Sequence, residues 1–215
     1  MPMQYATQAI VCLANDLRGT ADSLQEKRGL EEDIRKTINE VEQIAATVHY
    51  WPAVAGLPNL FSARDDGSGG SRLIIVGHGN PESTHILGDG LQWTAAQLNT
   101  EVETWLNRSI INRISLHMCF GGGNPSGHLA PMPVDPANSF AMAFARICRV
   151  ARSITARTHL VNILRKTSGP SNVPQDQWPL TDVQRTVGGR HQAPGIDKYV
   201  FEPQADGRPL FGPVR

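Results

Sequence analysis

The sequence has no even set of cysteines and no CxxC pair. Its three cysteines, Cys12, Cys119 and Cys148, stand at irregular spacings in 215 residues. An odd number at such spacings argues against a disulfide framework and against a structural zinc site. We therefore expect a protein that works in a reducing compartment such as the cytosol, and no metal cofactor.

The sequence also lacks net charge, long apolar runs and a leader pattern. Lys plus Arg and Asp plus Glu both number 20, so no overall field draws the chain to nucleic acid or to an anionic membrane. No stretch approaches the roughly 18 apolar residues of a membrane span. Residues 1–9 hold no basic segment followed by an apolar run. We expect no nucleic-acid partner and no membrane span.

No internal repeat or shift of composition divides the chain. With 40% hydrophobic and 19% charged residues, its length fits one compact domain. We predict a single domain over residues 1–215, with a core over about residues 4–168 and a C-terminal flap over about residues 190–215.

Apolar runs alternate with segments of helical spacing. Strands are predicted at residues 9–13, 72–76, 111–118 and 159–164, and helices at residues 20–48, 91–105 and 140–151. Residues 57–71 and 121–136 are rich in Gly and Pro and predict loops. An Asp-Gly pair between apolar residues 198–201 and 209–211 predicts a hairpin. This order predicts an α/β fold with a mainly parallel sheet and helices on both faces.

Two of the predicted strands end at reactive side chains. One is followed by Gly77-His78-Gly79, and the other by Cys119 and three glycines, residues 121–123, shortly after it. Residues directly after parallel strands lie in the functional crevice of an α/β sheet. A neighbouring imidazolium favours a cysteine thiolate and can protonate a departing amine. We predict a dyad of Cys119 as nucleophile and His78 as acid and base.

The glycines around the dyad suggest further roles. The N–H groups of Gly79 and Cys119 could stabilise an oxyanion formed during acyl transfer through a thioester. Gly77 and residues 121–123 would leave room for the substrate. The other two cysteines, Cys12 and Cys148, are interpreted as small core residues.

Other chemistries remain open at this point. Cys119 with His117 and His128 would make only three zinc ligands, one short of a structural site. The run from Met118 also resembles the nucleophile elbow of α/β-hydrolases, in which the catalytic His follows the nucleophile. An esterase-like hydrolase and an inactive peptidase-fold binding module are therefore alternatives to a peptidase.

Two segments carry a resemblance to a known family. Leu73-Ile-Ile-Val-Gly-His-Gly79 and Ile114-Ser-Leu-His-Met-Cys119 resemble the strands that end in His-Gly and in Cys in caspase-like cysteine peptidases. Within that group the chain is most similar to the self-cleaving peptidase domains of large glucosylating toxins and multifunctional autoprocessing repeat toxins. The resemblance implies a three-layer α/β/α sandwich with a C-terminal β-hairpin flap. It also implies that Asp16 orients His78, whereas Met118 replaces a Gly of the family.

The resemblance further implies a ligand and a setting. Members of this family are activated by inositol hexakisphosphate, bound in a basic pocket braced by the flap, and such a ligand needs clustered Lys and Arg. Arg72 and Lys198 match basic positions of the family; Arg157, Arg165 and Lys166 lie in a stretch without acidic residues. These arginines could equally form a solvated face balanced by acidic residues 22–42. The implied protein is a bacterial toxin or effector that cleaves a polypeptide in cis or in trans in a host cytosol.

Overall fold

The fold is taken from a computed structural model of the chain. It describes residues 5–13, 46–51, 54, 57, 61, 70–79, 84–88, 91–118, 121–123, 135–158, 162–165, 180–187, 190–192 and 198–214. The side chains of Ala6, Ala46, Val48, Tyr50 and His78 and those of residues 162–165, 180–187 and 190–192 lie outside this description.

The described elements with known bounds are strands, two α-helices and one short 3₁₀ turn, and residues 57 and 61 are also helical. The strands are β1 (Tyr5–Cys12), β2 (Ala46–Tyr50), β3 (Gly70–Val76), β4 (His78–Gly79), β5 (Ile86–Gly88), β6 (Leu91–Trp93), β7 (Ile111–His117), β8 (Ala151–Arg157), β9 (Asn162–Arg165), β10 (Leu180–Val187), β11 (Arg190–Gln192), β12 (Lys198–Glu202) and β13 (Leu210–Pro213). The helices are α1 (Ala95–Trp105) and α2 (Phe140–Ile147), and the 3₁₀ turn spans Pro136–Asn138. Neither α-helix is long and apolar enough to span a membrane.

A seven-stranded sheet organises the described part of the chain. Its order is β13-β12-β8-β7-β3-β1-β2. The strands from β2 to β8 run parallel, whereas β12 and β13 run antiparallel at one edge. Parallel neighbours need a crossover connection, and α1 and α2 lie in the connections that lead to β7 and from β7 to β8. The prediction of an α/β protein with a mainly parallel sheet is confirmed.

One face of this sheet packs against both helices and is called the helix-covered face. Alternate strand residues point to the same face, and Leu73, Ile75, Ile114 and Leu116 belong to one hydrophobic core with side chains of the two helices. The helix residues in that core are Leu98, Val102 and Trp105 of α1 and Phe140, Phe144 and Ala145 of α2. Burial of each large apolar side chain contributes about 1.5–3 kcal/mol. This face therefore supplies most of the described apolar core.

Local signals set the helix boundaries. Thr94 caps α1 through a capping box with Gln97, with the N–H of Gln97 donating to the Thr94 hydroxyl at 3.3 Å. Ser139 caps α2 by accepting from the N–H of Met142 at 3.1 Å. The helix α2 ends at Cys148, which has extended backbone angles.

Two smaller antiparallel sheets accompany the central one. The first has the order β4-β5-β6 and follows directly after β3. The second has the order β11-β10-β9. Within the predicted flap over about residues 190–215, β11 therefore pairs with β10 of this second sheet, whereas β12 and β13 pair with each other as a hairpin.

Several predicted boundaries are wrong. Residues 46–48, assigned to a long helix, belong to β2, while residues 20–45 lie outside the described residues. Leu91 belongs to β6 rather than to the helix, because the cap at Thr94 starts α1 three residues later. Residues 57 and 61 are helical within the predicted loop, and Gly70 and Ser71 already belong to β3.

The largest error concerns the strand that follows α2. Ala151, predicted as helical, begins β8, and β8 rather than residues 159–164 is the parallel partner of β7. Residues 159–161 lie outside the described residues, and 162–165 form β9 of a separate sheet. The burial pattern of β8 does not alternate, and its parallel register with β7, in which Ile154 lies opposite Ile114 and Thr155 opposite Ser115, identifies it as a strand.

Candidate active site

The strands β3 and β7 end side by side. Val76 lies opposite His117 in their parallel register, and the N–H of Gly77 donates to the carbonyl of His117 at 3.2 Å. His78 is the next residue on one strand, and Cys119 follows two residues after His117 on the other. Two residues of chain span at most about 7 Å. The backbone thus holds the two chain segments that lead to His78 and Cys119 within a short reach of each other.

Cys119 and Asp16 lie outside the described residues, as does the His78 side chain. Residues close to Cys119 and Asp16 in the sequence are described. Met118 is buried at 1% exposure, and the N–H of Leu13 donates to the carbonyl of Val76 at 2.9 Å. Leu13, which follows β1 and stands three residues before Asp16, therefore lies beside the end of β3.

His78 and Gly79 form the first strand of the small β4-β5-β6 sheet. Gly79 lies opposite Ile86, which in turn lies opposite Trp93, and both of these side chains are buried. His78 lies opposite Leu87, which lies opposite the exposed Gln92. The backbone of the predicted base and oxyanion donor is therefore held in a hydrogen-bonded ladder.

The glycines near the strand ends permit close packing instead of leaving open room. A Cβ atom at Gly77 would lie 2.7 Å from Cγ1 of Ile86 and 2.9 Å from the carbonyl of Leu87. At Gly88 it would lie 1.5 Å from the carbonyl oxygen of Leu13. The expectation that Gly77 provides space for substrate is therefore wrong, because the small sheet packs directly on the ends of β1 and β3.

The same correction applies to the glycine turn after Cys119. The N–H of Gly122 donates to the carbonyl of Arg157 at 2.7 Å, and the carbonyl of Gly121 accepts from the N–H of Ala141 at 2.9 Å. A Cβ atom at Gly121 would lie 2.6 Å from Cγ of Met118. This turn is anchored to the end of β8 and to the start of α2. The chain on either side of Cys119 and Phe120 is thus fixed.

The other two cysteines are buried, which confirms their interpretation as core residues. Cys12 is 1% and Cys148 is 0% exposed. Burial raises the pKa of the Cys148 thiol, so its thiolate, the reactive form, is disfavoured. Cys119 consequently has no competitor among the described cysteines for reaction with an external electrophile.

Basic side chains gather on the face of the sheet opposite the helices. This face, called the cationic face, carries Arg72, Arg113, His117, Arg157 and Lys198. Arg72 lies opposite Arg113, and Arg157 lies opposite Lys198. Arg72 is only 8% exposed; its Nε donates to the hydroxyl of Ser115 at 3.0 Å. Its guanidinium carbon also lies 5.3 Å from the ring centroid of Tyr5.

His117 is the titratable group of the cationic face with a strongly shifted pKa. Burial holds its pKa well below the usual value for histidine. Three positive charges lower that pKa further: Arg72, Arg157 and Lys198. All three were predicted as ligands of an inositol phosphate; Arg157 and Lys198 line one small cavity with His117, whereas Arg72 is held against Ser115 and Tyr5.

The side chains of the other two predicted basic residues are not described. Arg165 lies in β9, in a sheet separate from the central one, and its side chain is not described. Lys166 lies outside the described residues. Arg113 and His117 were not predicted as part of a basic face. The alternation of polar residues 113, 115 and 117 with apolar residues 114, 116 and 118 was the signal that could have identified them.

No three His, Cys, Asp or Glu side chains in the described ranges are close enough together to hold a metal ion. No family model matches the sequence, and no curated protein matches it. The adjacent ends of β3 and β7 and the cationic face are thus the features of the described residues that bear on function.

Proposed function

We propose that the protein is a cysteine endopeptidase with a caspase-like fold, in which Cys119 attacks the peptide carbonyl and His78 transfers the proton. The observation that carries the proposal is the hydrogen bond from Gly77 to His117, which joins the two strand ends that lead to the dyad. A thiolate beside an imidazolium can form a thioester with release of the amine, and water then hydrolyses the thioester. Asp16 would orient the imidazole, and the N–H groups of Gly79 and Cys119 would bind the oxyanion.

The cationic face supports an anionic activator. Arg72, Arg157 and Lys198 all act on His117 electrostatically, and they lie on three different strands. Two cations beside one cavity, with a third on the neighbouring strand β3, favour a ligand with several phosphate groups. We propose inositol hexakisphosphate as that ligand, and autoprocessing or effector-type cleavage in a host cytosol as the setting. The hairpin of β12 and β13 would act as the flap, since Lys198 begins it.

The decisive experiment is labelling of Cys119 with a thiol-reactive peptide electrophile, followed by mass spectrometry. We expect Cys119 to be labelled in preference to the buried Cys12 and Cys148. His78→Ala should slow labelling by about 10²- to 10⁴-fold, the usual contribution of a general acid and base. Addition of inositol hexakisphosphate should accelerate labelling of the wild type.

A matched control is His85→Ala, which removes a nearby histidine that contacts Thr84 at 2.9 Å. This variant should be labelled at the wild-type rate. Absence of preferential labelling at Cys119 would overturn the peptidase and favour a binding module. Labelling that depends on His128 rather than His78 would favour an esterase-like hydrolase, in which the catalytic His follows the nucleophile.

A further inference from the structure

The His117 ring on the cationic face has a buried nitrogen, Nδ1. The ring is partly exposed, but its Nδ1 atom is buried and has no hydrogen-bond partner among the described residues. A buried polar atom of this kind normally has a protein or water partner, and leaving it unpaired destabilises the folded state. An unpaired buried nitrogen on a basic surface is therefore a candidate ligand contact.

A small cavity adjoins this residue. It has a volume of ≈ 20 Å³ and is lined by Leu116, His117, Thr155, Ala156, Arg157 and Lys198. One water-sized sphere needs about 10–15 Å³, so the cavity holds a single oxygen atom and not a whole phosphate or sulfate group. Such a group could place one oxygen in the cavity and the remaining oxygens at its mouth.

The charges around His117 come from the described strands packed beside it. The cations that act on His117 are Arg72 on β3, Arg157 on β8 and Lys198 on β12. Arg113 lies four residues earlier on its own strand, and the titratable side chain of Cys12 on β1 lies in the same row. Positive charge dominates this set, so the neutral imidazole is favoured while the cavity holds no anion. An oxyanion would reverse that local field and would accept a hydrogen bond from a protonated ring.

We propose that this cavity binds one terminal oxygen of a phosphate or sulfate group and that His117 holds it as an imidazolium through Nδ1–H. Anion binding then takes up a proton and becomes tighter as the pH falls. The inference rests on the anionic activator proposed above and specifies how that ligand is held. It does not depend on the Cys119 and His78 dyad.

The test uses inositol hexakissulfate, because its sulfate groups stay fully ionised between pH 5.5 and 7.5 and any pH dependence must come from the protein. Isothermal titration calorimetry in buffers of different ionisation enthalpy measures both affinity and proton uptake. For the wild type we expect uptake of up to one proton and an affinity that rises up to about tenfold for each unit of decrease in pH. His117→Gln keeps a hydrogen-bond donor but cannot titrate, so its affinity should not change with pH.

The control variant is His49→Gln, which removes a half-buried histidine. His49 lies on β2, the edge strand opposite the hairpin of β12 and β13. It should retain the pH dependence of the wild type. A measurement without variants is the NMR titration of the His117 ring in the wild type, in which added hexakissulfate should move the midpoint to higher pH.

Wild-type binding that does not change with pH would overturn the role of His117 while leaving an anion site intact. The same pH dependence in His117→Gln, or no binding at pH 5.5, would also overturn the inference. Proton-linked binding in a protein whose Cys119 is not labelled would support this inference and contradict the peptidase, so the two proposals fail separately.

Discussion

The two faces of the central sheet differ in polarity. On the helix-covered face, Leu73, Ile75, Ile114 and Leu116 pack into the apolar core beneath α1 and α2. On the cationic face, the same strands carry the buried apolar Ile74 beside arginines, hydroxyls and an imidazole, of which Arg113 and His117 are partly exposed. Apolar burial stabilises the first face directly, whereas the second is stable only where polar groups find partners. The first face therefore determines the fold, and the second is the more informative about function.

The comparison predicts that a truncation on the helix-covered face has the largest effect on stability. Phe144 is fully buried, and its ring centroid lies 6.4 Å from that of Phe140. Phe144→Ala should lower the free energy of unfolding by about 3–5 kcal/mol, measured by urea denaturation. Phe211→Ala is the matched control, because Phe211 stacks on Phe201 but is 46% exposed. Equal losses in the two variants would contradict the assignment of the core.

A polar truncation on the cationic face should have an intermediate effect. The Ser115 hydroxyl accepts from Nε of Arg72 and from the hydroxyl of Thr155, both at 3.0 Å. Ser115→Ala leaves both donors without this acceptor, and we expect a loss of about 1–3 kcal/mol in the free energy of unfolding. Ser153→Ala, at a half-buried position that accepts from Arg113 at 3.2 Å, should cost less. Equal costs would show that burial does not control these hydrogen bonds.

The strands that carry the candidate dyad could be predicted because local and tertiary signals agree there. Leu73, Ile74 and Ile75 form an apolar run that ends at Gly77, and the rule for parallel sheets places residues after such strands at one edge. The elements β2 and β8 could not be assigned, since their apolar residues also fit helical spacing and only pairing with β1 and β7 selects the strand. The three short strands β4 to β6 gave too few residues for any periodicity.

The candidate site was predicted only in part, for a related physical reason. The strand that precedes Cys119 was interpreted only as a buried apolar strand, and that interpretation conceals the polar row of Arg113, Ser115 and His117. Burial of these side chains depends on partners from β3, β8 and β12, which no local pattern in β7 reveals. The sequence therefore indicated the adjacent ends of β3 and β7 better than it indicated the polar row on the cationic face.

The smallest expected effect concerns the acid stability of the cationic face. The pKa of His117 is lowered in the folded state by burial and by nearby cations, whereas in the unfolded chain it is about 6.5. The unfolded state therefore binds more protons below pH 6.5, and stability falls as the pH decreases towards the lowered native pKa. We expect a loss of about 1 kcal/mol between pH 6.5 and 5.5, measured from urea unfolding midpoints.

His117→Gln should abolish this loss, because glutamine binds no proton in either state. Burial also lowers the pKa of His49, which is less enclosed, so His49→Gln should remove only a smaller part of the acid sensitivity. An anion that binds the cationic face should act in the opposite direction, since it favours the imidazolium in the folded state. If wild type and His117→Gln lost the same free energy of unfolding between pH 6.5 and 5.5, the His117 imidazole would not be the group that makes the cationic face sensitive to acid.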